Sequence, residues 1–213
     1  TEDNKGNPIY NYQYIDALYD YLLSINVKPF VELGFMPNAL ASGPETIFWW
    51  KGNVTPPKDY KKWSDLIQNL TQHFTDRYGA EEVKTWYFEV WNEPNLTPNF
   101  WTGTQAEYFK LYEYAAKAIK NVNEDYKVGG PATAGAGWVP ETIDFCAKNK
   151  VPLDFISTHT YGVNQGYLDE YGSTGTVLSK DESSVSGDVI NSRKQISSSV
   201  MPKLELYYTE WSS

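Results

Sequence analysis

The chain contains few of the residues that build metal centres or disulfide frameworks. Its 213 residues include 1 Cys and 2 His, so Cys146 cannot form an intramolecular disulfide and thiolate zinc sites are excluded. His73 and His159 are too few for a His-rich metal centre. Because Cys146 lies in an apolar helical stretch, we expect it to be packed and inert. No metal ion and no organic cofactor is therefore predicted.

Positive charge and long apolar runs are also scarce. The 18 Lys and Arg residues are outnumbered by 27 Asp and Glu residues, which gives a formal net charge of −9. Because the basic residues form no stripe, nucleic-acid binding is not expected. No apolar run reaches transmembrane length and no signal peptide opens the chain, so we expect a cytoplasmic or secreted protein without a membrane partner. A homo-oligomer is compatible with this composition.

Aromatic residues, by contrast, are abundant. They make up 16% of the chain, with 8 Trp and 17 Tyr. Large rings fill protein cores efficiently, and their apolar faces can also stack on the C–H faces of sugar rings. Composition alone slightly favours the packing interpretation.

Strand and helix patterns alternate along the whole chain. Short runs rich in aromatic and β-branched residues predict five strands, at 27–35, 86–91, 127–130, 154–159 and 204–211. Apolar residues at helical spacing predict helices at 10–25, 58–78, 104–123, 139–148 and 188–198. The segments 36–57 and 161–186 are predicted as loops, because they are rich in Gly and other residues typical of loops and lack a clear period.

This alternation predicts an α/β fold with a parallel sheet. Polar residues gather at the ends of the predicted strands and not at their starts, as is typical of a (β/α)₈ TIM barrel. A doubly wound sheet is the alternative, but no Gly-rich phosphate-binding sequence follows any strand. A closed barrel needs eight strands. We therefore expect residues 1–213 to be a single catalytic-domain segment of a partial barrel, truncated at both ends.

Two glutamates close predicted strands. Glu93 follows the run 86–91 in the sequence Asn92-Glu93-Pro94, and Glu210 ends the last run. A carboxylate at such a position is costly to desolvate, so it usually faces a cleft rather than a sealed core. Two carboxyl groups at one rim form the acid and nucleophile pair that splits a glycosidic bond. The sequence therefore predicts a glycosidase site.

Each candidate also has a purely structural interpretation. Glu93 could be a turn-forming residue before a proline, Glu210 a solvated carboxylate and His159 a satisfied core histidine. Glu32 and Glu89 lie inside apolar runs. We interpret both as interior structural carboxylates with basic partners, with a substrate contact as the alternative.

Several longer segments resemble glycoside hydrolase family 39. The segment that ends in Asn92-Glu93-Pro94 carries this resemblance most clearly, and the other matching segments are 30–37, 129–135, 151–159 and 207–211. The family belongs to a clan of retaining glycosidases built on (β/α)₈ barrels. The resemblance implies that the five predicted strands are the third to the seventh of such a barrel.

The resemblance also implies roles for individual residues. Glu93 would be the acid/base, Glu210 the nucleophile, and Asn92 would bind the sugar 2-hydroxyl. His159 and Tyr161 would line the pocket. Trp211, which directly follows the nucleophile, is predicted to form the pocket floor, with plain packing as the alternative.

The family contains β-xylosidases and α-L-iduronidases, so two glycosidase activities are open. The leading hypothesis is release of xylose from xylo-oligosaccharides, since an iduronidase needs a cationic clamp for the uronate. The only arginines, Arg77 and Arg193, fall on predicted helices. A hypothesis of a different class is an inactive carbohydrate-binding fragment.

Overall fold

The computed structural model describes residues 1–166 and 176–212. The helices in these ranges are α1 (Gln13–Ser24), α2 (Tyr60–Tyr78), α3 (Ala80–Val83), α4 (Gln105–Val122), α5 (Val139–Asn149) and α6 (Ser184–Ser197), with a 3₁₀ turn at Ala134–Ala136. The strands are β1 (Phe30–Leu33), β2 (Thr46–Ile47), β3 (Gly52–Asn53), β4 (Tyr87–Val90), β5 (Lys127–Thr133), β6 (Phe155–Thr160), β7 (Val163–Gly166), β8 (Thr176–Leu178) and β9 (Glu205–Trp211).

The five long strands form one parallel sheet in the order β1-β4-β5-β6-β9. Parallel neighbours need crossover connections, and helices supply them here. The spatial order follows the chain order and never reverses, so the sheet lacks the switch point of a doubly wound fold. It curls like part of a barrel. The predicted α/β class, the five strands and the partial barrel are confirmed.

The structure differs from the prediction in both segments expected to be loops. In 36–57, β2 pairs antiparallel with β3, and in 161–186, β7 pairs antiparallel with β8. The second segment also contains the first turn of α6, and its residues 167–175 lie outside the described part of the chain. Pairs this short have too few residues to show a period, which explains why the sequence pattern missed them.

Aromatic side chains fill much of the core. Trp63 and Trp86 are almost fully buried, and the Trp63 indole N–H donates to the carbonyl of Leu111, which joins α2 to α4 (3.3 Å). Trp86 packs edge-on against Tyr19 of α1, with ring centroids 5.6 Å apart. The packing interpretation therefore holds for these rings.

The helices begin and end at residues suited to those positions. Gly79 closes α2 with a φ of +84°, a conformation that glycine adopts without strain. Thr104 precedes α4 in a capping box, in which its hydroxyl accepts from the Glu107 N–H and the Glu107 carboxylate accepts from the Thr104 N–H. Such a cap contributes about 1 kcal/mol.

Cys146 is buried in α5, and burial raises the pKa of its thiol to about 12, in keeping with an inert packed side chain. The apolar stripe of α1 is different, because Tyr14, Leu18 and Tyr21 are exposed. No described residue covers that face. None of the helices in the described part of the chain combines the length and apolarity needed to cross a bilayer.

The close approach of β5 to β6 depends on a glycine. A Cβ on Gly129 would lie 2.3 Å from the carbonyl oxygen of Phe155, which is backbone and cannot rotate away. Any side chain at this position must push the two strands apart.

We expect Gly129→Ala to lower the free energy of unfolding by about 3 kcal/mol or more, because the clash is with backbone. Thermal denaturation followed by circular dichroism measures this loss. Gly187→Ala is the matched control. Gly187 lies in α6 with no atom within 4 Å of its added Cβ, so this variant should gain about 0.5–1 kcal/mol. Equal stability of the two variants would contradict the close-packing argument.

Candidate active site

Three ionisable side chains from different strands meet at the carboxyl ends of the sheet. Glu93 follows β4, while His159 lies in β6 and Glu210 in β9. One carboxylate oxygen of each glutamate and a ring nitrogen of His159 all lie within 4.8 Å of one another. Carboxyl ends of parallel strands share one edge of a sheet, so the fold itself produces this meeting.

The backbone around Glu93 is strained and tightly held. Trp91 and Glu93 have φ values of +74° and +45°, which are uncommon for residues with a side chain. The Glu93 N–H donates to the carbonyl of Ala132 (2.8 Å). The Asn95 side chain then bonds both the N–H and the carbonyl of Ala134, each at 2.9 Å. Strain of this kind persists only where the surroundings enforce it, and it is typical of functional sites.

The ends of β4 and β5 are fixed from behind by α4. The hydroxyl of Tyr108, which is fully buried, approaches the carbonyls of Val90 (3.0 Å) and Pro131 (3.2 Å). The Val90 carbonyl ends β4 and the Pro131 carbonyl lies near the end of β5, next to the turn that carries Glu93. Tyr108 thereby limits movement of the acid-bearing turn relative to β5.

His159 lies between the two glutamates and is buried. Its Nδ1 is hydrogen-bonded to Oε1 of Glu93 at 3.0 Å, and the same nitrogen is 3.8 Å from Oε1 of Glu210. Burial by itself lowers the pKa of His159, but the hydrogen bond to Glu93 and the charge of Glu210 outweigh it, so the net shift is upward. The imidazole thus contacts one glutamate and lies close to the other, rather than being a histidine satisfied elsewhere in the core.

Glu210 is half-buried and has a second partner. It lies opposite His159 in the β6–β9 register, and the hydroxyl of Tyr161 donates to its Oε2. Tyr161 also has a further interaction. The structure therefore brings three of the predicted site residues together, Glu93, His159 and Glu210, and Tyr161 is hydrogen-bonded to Glu210.

Asn92 and Trp211 have opposite environments. Asn92 is buried directly before Glu93, as a sugar-binding amide at the strand end would be. Trp211 is 69% exposed at the end of β9, so within the described residues it does not form an enclosed pocket floor. A substrate contact by Trp211 stays a prediction. Trp91, with no exposed surface, belongs to the core.

Glu32 and Glu89 extend the acidic cluster below the rim. They lie opposite each other in the β1–β4 register. The prediction that they pair with basic residues is wrong for the described part of the chain, where no Lys or Arg forms an ion pair with either one. Glu89 instead accepts a hydrogen bond from the hydroxyl of Thr209 at 2.8 Å. Hydroxyls can satisfy a buried carboxyl without supplying charge.

Loss of contact with water is the largest cause of a raised pKa at both positions. It raises the pKa of Glu89. Together with the charges of Glu89 and Glu210, which come second, it raises the pKa of Glu32 to about 7. Glu32 is nevertheless solvent-exposed on the open side of the sheet. Water around the Glu32 carboxyl screens part of the charge repulsion. The effect of its raised pKa on the free energy of unfolding is therefore smaller than the shift alone would give.

The Glu93, His159 and Glu210 atoms could also ligate a divalent cation, since two carboxylates and one imidazole are common metal ligands. The direct 3.0 Å contact between Glu93 and His159 is a hydrogen bond, however. The arrangement is therefore suited to proton transfer as it stands.

The largest apolar cavity described is not at this site. It measures about 780 Å³ and lies at the β1 edge, between α1, α2 and the sheet. Of the clustered ionisable residues only Glu32 lines it, and Glu93, His159 and Glu210 do not. Size alone would favour this cavity, but the groups able to do chemistry are at the strand ends.

The whole chain, residues 1–213, matches the sequence profile of the Glycosyl hydrolases family 39. This chain belongs to that family. A Beta-xylosidase from Geobacillus stearothermophilus is 56% identical over 162 residues, which are 75% of this chain and 32% of that protein. A Beta-xylosidase from Caldicellulosiruptor saccharolyticus is 50% identical over 200 residues, which are 93% of this chain and 40% of that protein.

A solved structure agrees with the sequence comparison. The crystal structure of a monomeric beta-xylosidase from Caulobacter crescentus CB15 superposes with a TM-score of 0.91 at 50% identity, over 99% of this chain and 42% of that chain. The chain thus spans about two fifths of the length of these family members or less. The resemblance seen in the sequence is confirmed.

Sequence reasoning missed several residues that hold the site. Tyr108 looks like ordinary helix filler, and Thr209 carries no signal beyond its position next to Glu210. Asn95 falls inside a segment that resembles the family, which was the one available indication. The missed residues act through contacts between a strand, a helix or a turn and another element that is distant in sequence.

The raised pKa of Glu32 predicts a pH-dependent stability. Its folded pKa of about 7 lies above the ordinary 4.5, so the neutral carboxyl is preferred in the fold. Below pH 4.5 the carboxyl is neutral in both the folded and the unfolded protein, so it costs no stability. As the pH rises towards 7 the charged form is increasingly favoured outside the fold, and the folded state loses stability. We expect Glu32→Gln to become more stable than the wild type by about 1 kcal/mol above this window, or about 2–4 °C in Tm, and to match it at low pH.

Thermal denaturation of both proteins across this pH window measures the difference. His159 shifts in the same sense but is present in both proteins, so its effect cancels. Glu141→Gln on the exposed face of α5 is the control for losing one carboxylate. A difference that does not change with pH would contradict the prediction.

The hydrogen bond from Thr209 to Glu89 should couple the two residues energetically. The bond links β4 to β9, which are separated by two strands in the sheet. In a double-mutant cycle with Thr209→Val and Glu89→Met, we expect a coupling of about 1 kcal/mol in the free energy of unfolding. Thr209→Ser should retain most of the stability. Additive effects of the two substitutions would show that the bond contributes nothing.

Proposed function

We propose that the protein is a retaining β-xylosidase that removes xylose from the non-reducing ends of xylo-oligosaccharides. One observation carries this proposal: carboxylate oxygens of Glu93 and Glu210 lie within 4.8 Å of each other. Retaining glycosidases place their two carboxyl groups about 5–5.5 Å apart, whereas inverting enzymes need about 6.5–9.5 Å to admit a water molecule. The spacing supports direct attack by one carboxylate.

In the first half of the reaction, Glu93 acts as the acid. It gives its proton to the glycosidic oxygen while Glu210 attacks the anomeric carbon, so the leaving sugar departs and a xylosyl–Glu210 ester forms. The Tyr161 hydroxyl holds Oε2 of Glu210, and the His159 ring is 3.8 Å from Oε1. Both contacts orient the nucleophile.

In the second half, Glu93 acts as the base. It takes a proton from water, which attacks the anomeric carbon and releases xylose with its original configuration, while Glu210 is restored as a carboxylate. The 3.0 Å hydrogen bond to His159 keeps the Glu93 carboxyl in place through both steps. The strained turn supports the same requirement, since both steps use one residue at one position.

Xylose is preferred over a uronic acid on two grounds. The two relatives that are 56% and 50% identical are named Beta-xylosidase. A uronate would also need a cationic clamp, and neither arginine is free at the site. Arg77 binds Asp20, and Arg193 donates to the carbonyls of Pro202 and Leu204.

Removal of either carboxyl should abolish turnover and leave a distinct stereochemical signature. In the natural polypeptide that contains these residues, Glu93→Ala should lower kcat for xylobiose about 10²–10⁴-fold, the usual contribution of an acid/base. Added azide should then replace water against the xylosyl ester and give the β-xylosyl azide. In Glu210→Ala, azide should attack the substrate directly and give the α-xylosyl azide, because only one displacement occurs.

Product configuration by proton NMR distinguishes the two roles. Glu141→Gln, an exposed carboxylate on α5, is the control and should keep wild-type turnover. The same azide anomer from both variants would overturn the role assignment. Binding of xylo-oligosaccharide without any turnover by the wild type would favour the inactive carbohydrate-binding alternative instead.

A further inference from the structure

Three large aromatic side chains are exposed at the tip of one hairpin. Phe48, Trp49 and Trp50 are 46%, 89% and 53% exposed. They lie between β2 and β3, and we call residues 46–53 the aromatic hairpin. Neighbouring exposed apolar rings are unusual on a protein surface and indicate a binding surface.

The aromatic hairpin is held in one conformation by contacts at its base. The Met36 N–H donates to the carbonyl of Asn53 (3.0 Å), and the Asn53 amide donates to the carbonyl of Gly43 (2.8 Å). Gly52 packs so closely on Phe35 that a Cβ would lie 2.8 Å from its ring. These contacts give the exposed rings a fixed platform.

The tip itself is strained. Phe48 and Lys51, which flank the two tryptophans, have φ values of +62° and +58°. Glycine would adopt these angles without cost, yet both residues carry side chains. Strain held in place by surrounding structure is typical of segments that present side chains for function.

The aromatic hairpin stands on the Glu93 side of the site. The Phe35 ring packs edge-on against Trp91 at 5.5 Å, and Phe48 packs against Phe100 at 5.6 Å. Trp91 is two residues before Glu93. Glu210 lies on β9, at the opposite edge of the sheet from β1, which leads into this segment. Ring contacts thus connect the hairpin to the residue two positions before Glu93, which is the residue proposed to protonate the leaving group.

A depression of about 550 Å³ lies between the hairpin and the carboxyl end of β1. Its lining includes Trp50, Asn38, Lys51, Asn53 and Glu32, whereas Glu93, His159 and Glu210 do not line it. A volume of this size suits a small ligand. The Trp50 ring, with the Asn38 amide and the Lys51 amine beside it, matches the two surfaces of a sugar, which has an apolar C–H face and a hydroxyl edge.

We propose that the aromatic hairpin binds the sugar unit on the leaving-group side of the cleaved bond, with the Trp50 ring as the stacking surface. Phe48 supports Trp50 from one side, with ring centroids 4.4 Å apart and near-parallel planes. Trp49 does not line the depression and takes no part in the contact. This inference rests on the proposed glycosidase function.

The test compares substrates with and without a sugar as the leaving group. In the natural polypeptide, we expect Trp50→Ala to lower kcat/KM for xylotriose about tenfold, through KM, which corresponds to one lost aromatic contact. Methyl β-D-xyloside, whose leaving group has no ring, should react as in the wild type within about twofold. Trp50→Phe should recover most of the loss. Trp49→Ala, the matched control, should keep wild-type values for both substrates.

A binding measurement separates failure of this inference from failure of the proposed function. In the Glu93→Gln background, calorimetry should give a Kd for xylotriose about tenfold higher when Trp50 is replaced by alanine. Normal turnover with equal effects on both substrates, or none, would overturn the hairpin site and leave the glycosidase function standing. No turnover with Trp50-dependent binding would overturn the function and leave the saccharide site. No turnover and no dependence on Trp50 would overturn both.

Discussion

The concentration of carboxyl groups along one face of the sheet is the constraint on which the site depends. Glu32, Glu89, Glu93 and Glu210 lie within electrostatic reach of one another, and His159 lies among them with a raised pKa. Like charges at such separations repel strongly where water is scarce. The imidazole contacts Glu93 and lies close to Glu210. Burial is the largest cause of the raised pKa values of Glu32 and Glu89, and neighbouring negative charges add to it.

The rest of the architecture keeps these groups from relaxing apart. From the helix layer, the Tyr108 hydroxyl is within hydrogen-bonding distance of carbonyls of β4 and β5. The Asn95 side chain forms hydrogen bonds that join the turn after Glu93 to the turn after β5. From the far side of the sheet, Thr209 reaches Glu89. Each contact joins elements that are distant in sequence, so the separation of the acid and the nucleophile is a property of the whole sheet. Rigid placement of this kind is what a double-displacement mechanism requires.

Much of the fold could be predicted because its signals are local. A few consecutive aromatic and β-branched residues predict a strand such as β4. The helical spacing of apolar residues and the Thr104 cap predict α4. The β2–β3 and β7–β8 pairs gave no such signal, since two to four residues cannot establish a period. The apolar face of α1 shows a second limit of sequence patterns. Helical spacing predicts that α1 is a helix, but it does not predict which neighbouring element covers the apolar face. The placement of residues 1–213 as one segment of a catalytic domain stays a prediction.

The sequence by itself determined the alternation of strands and helices, and it determined which residue types end each strand, Asn92-Glu93 and Glu210 among them. Those features depend on neighbours along the chain. Tertiary structure alone decided that His159 lies between the two glutamates, that Glu89 is satisfied by a hydroxyl rather than a lysine, and that Trp211 is exposed while Trp91 is buried. Such facts depend on distances between strands far apart in sequence, and only the curl and register of the assembled sheet set those distances.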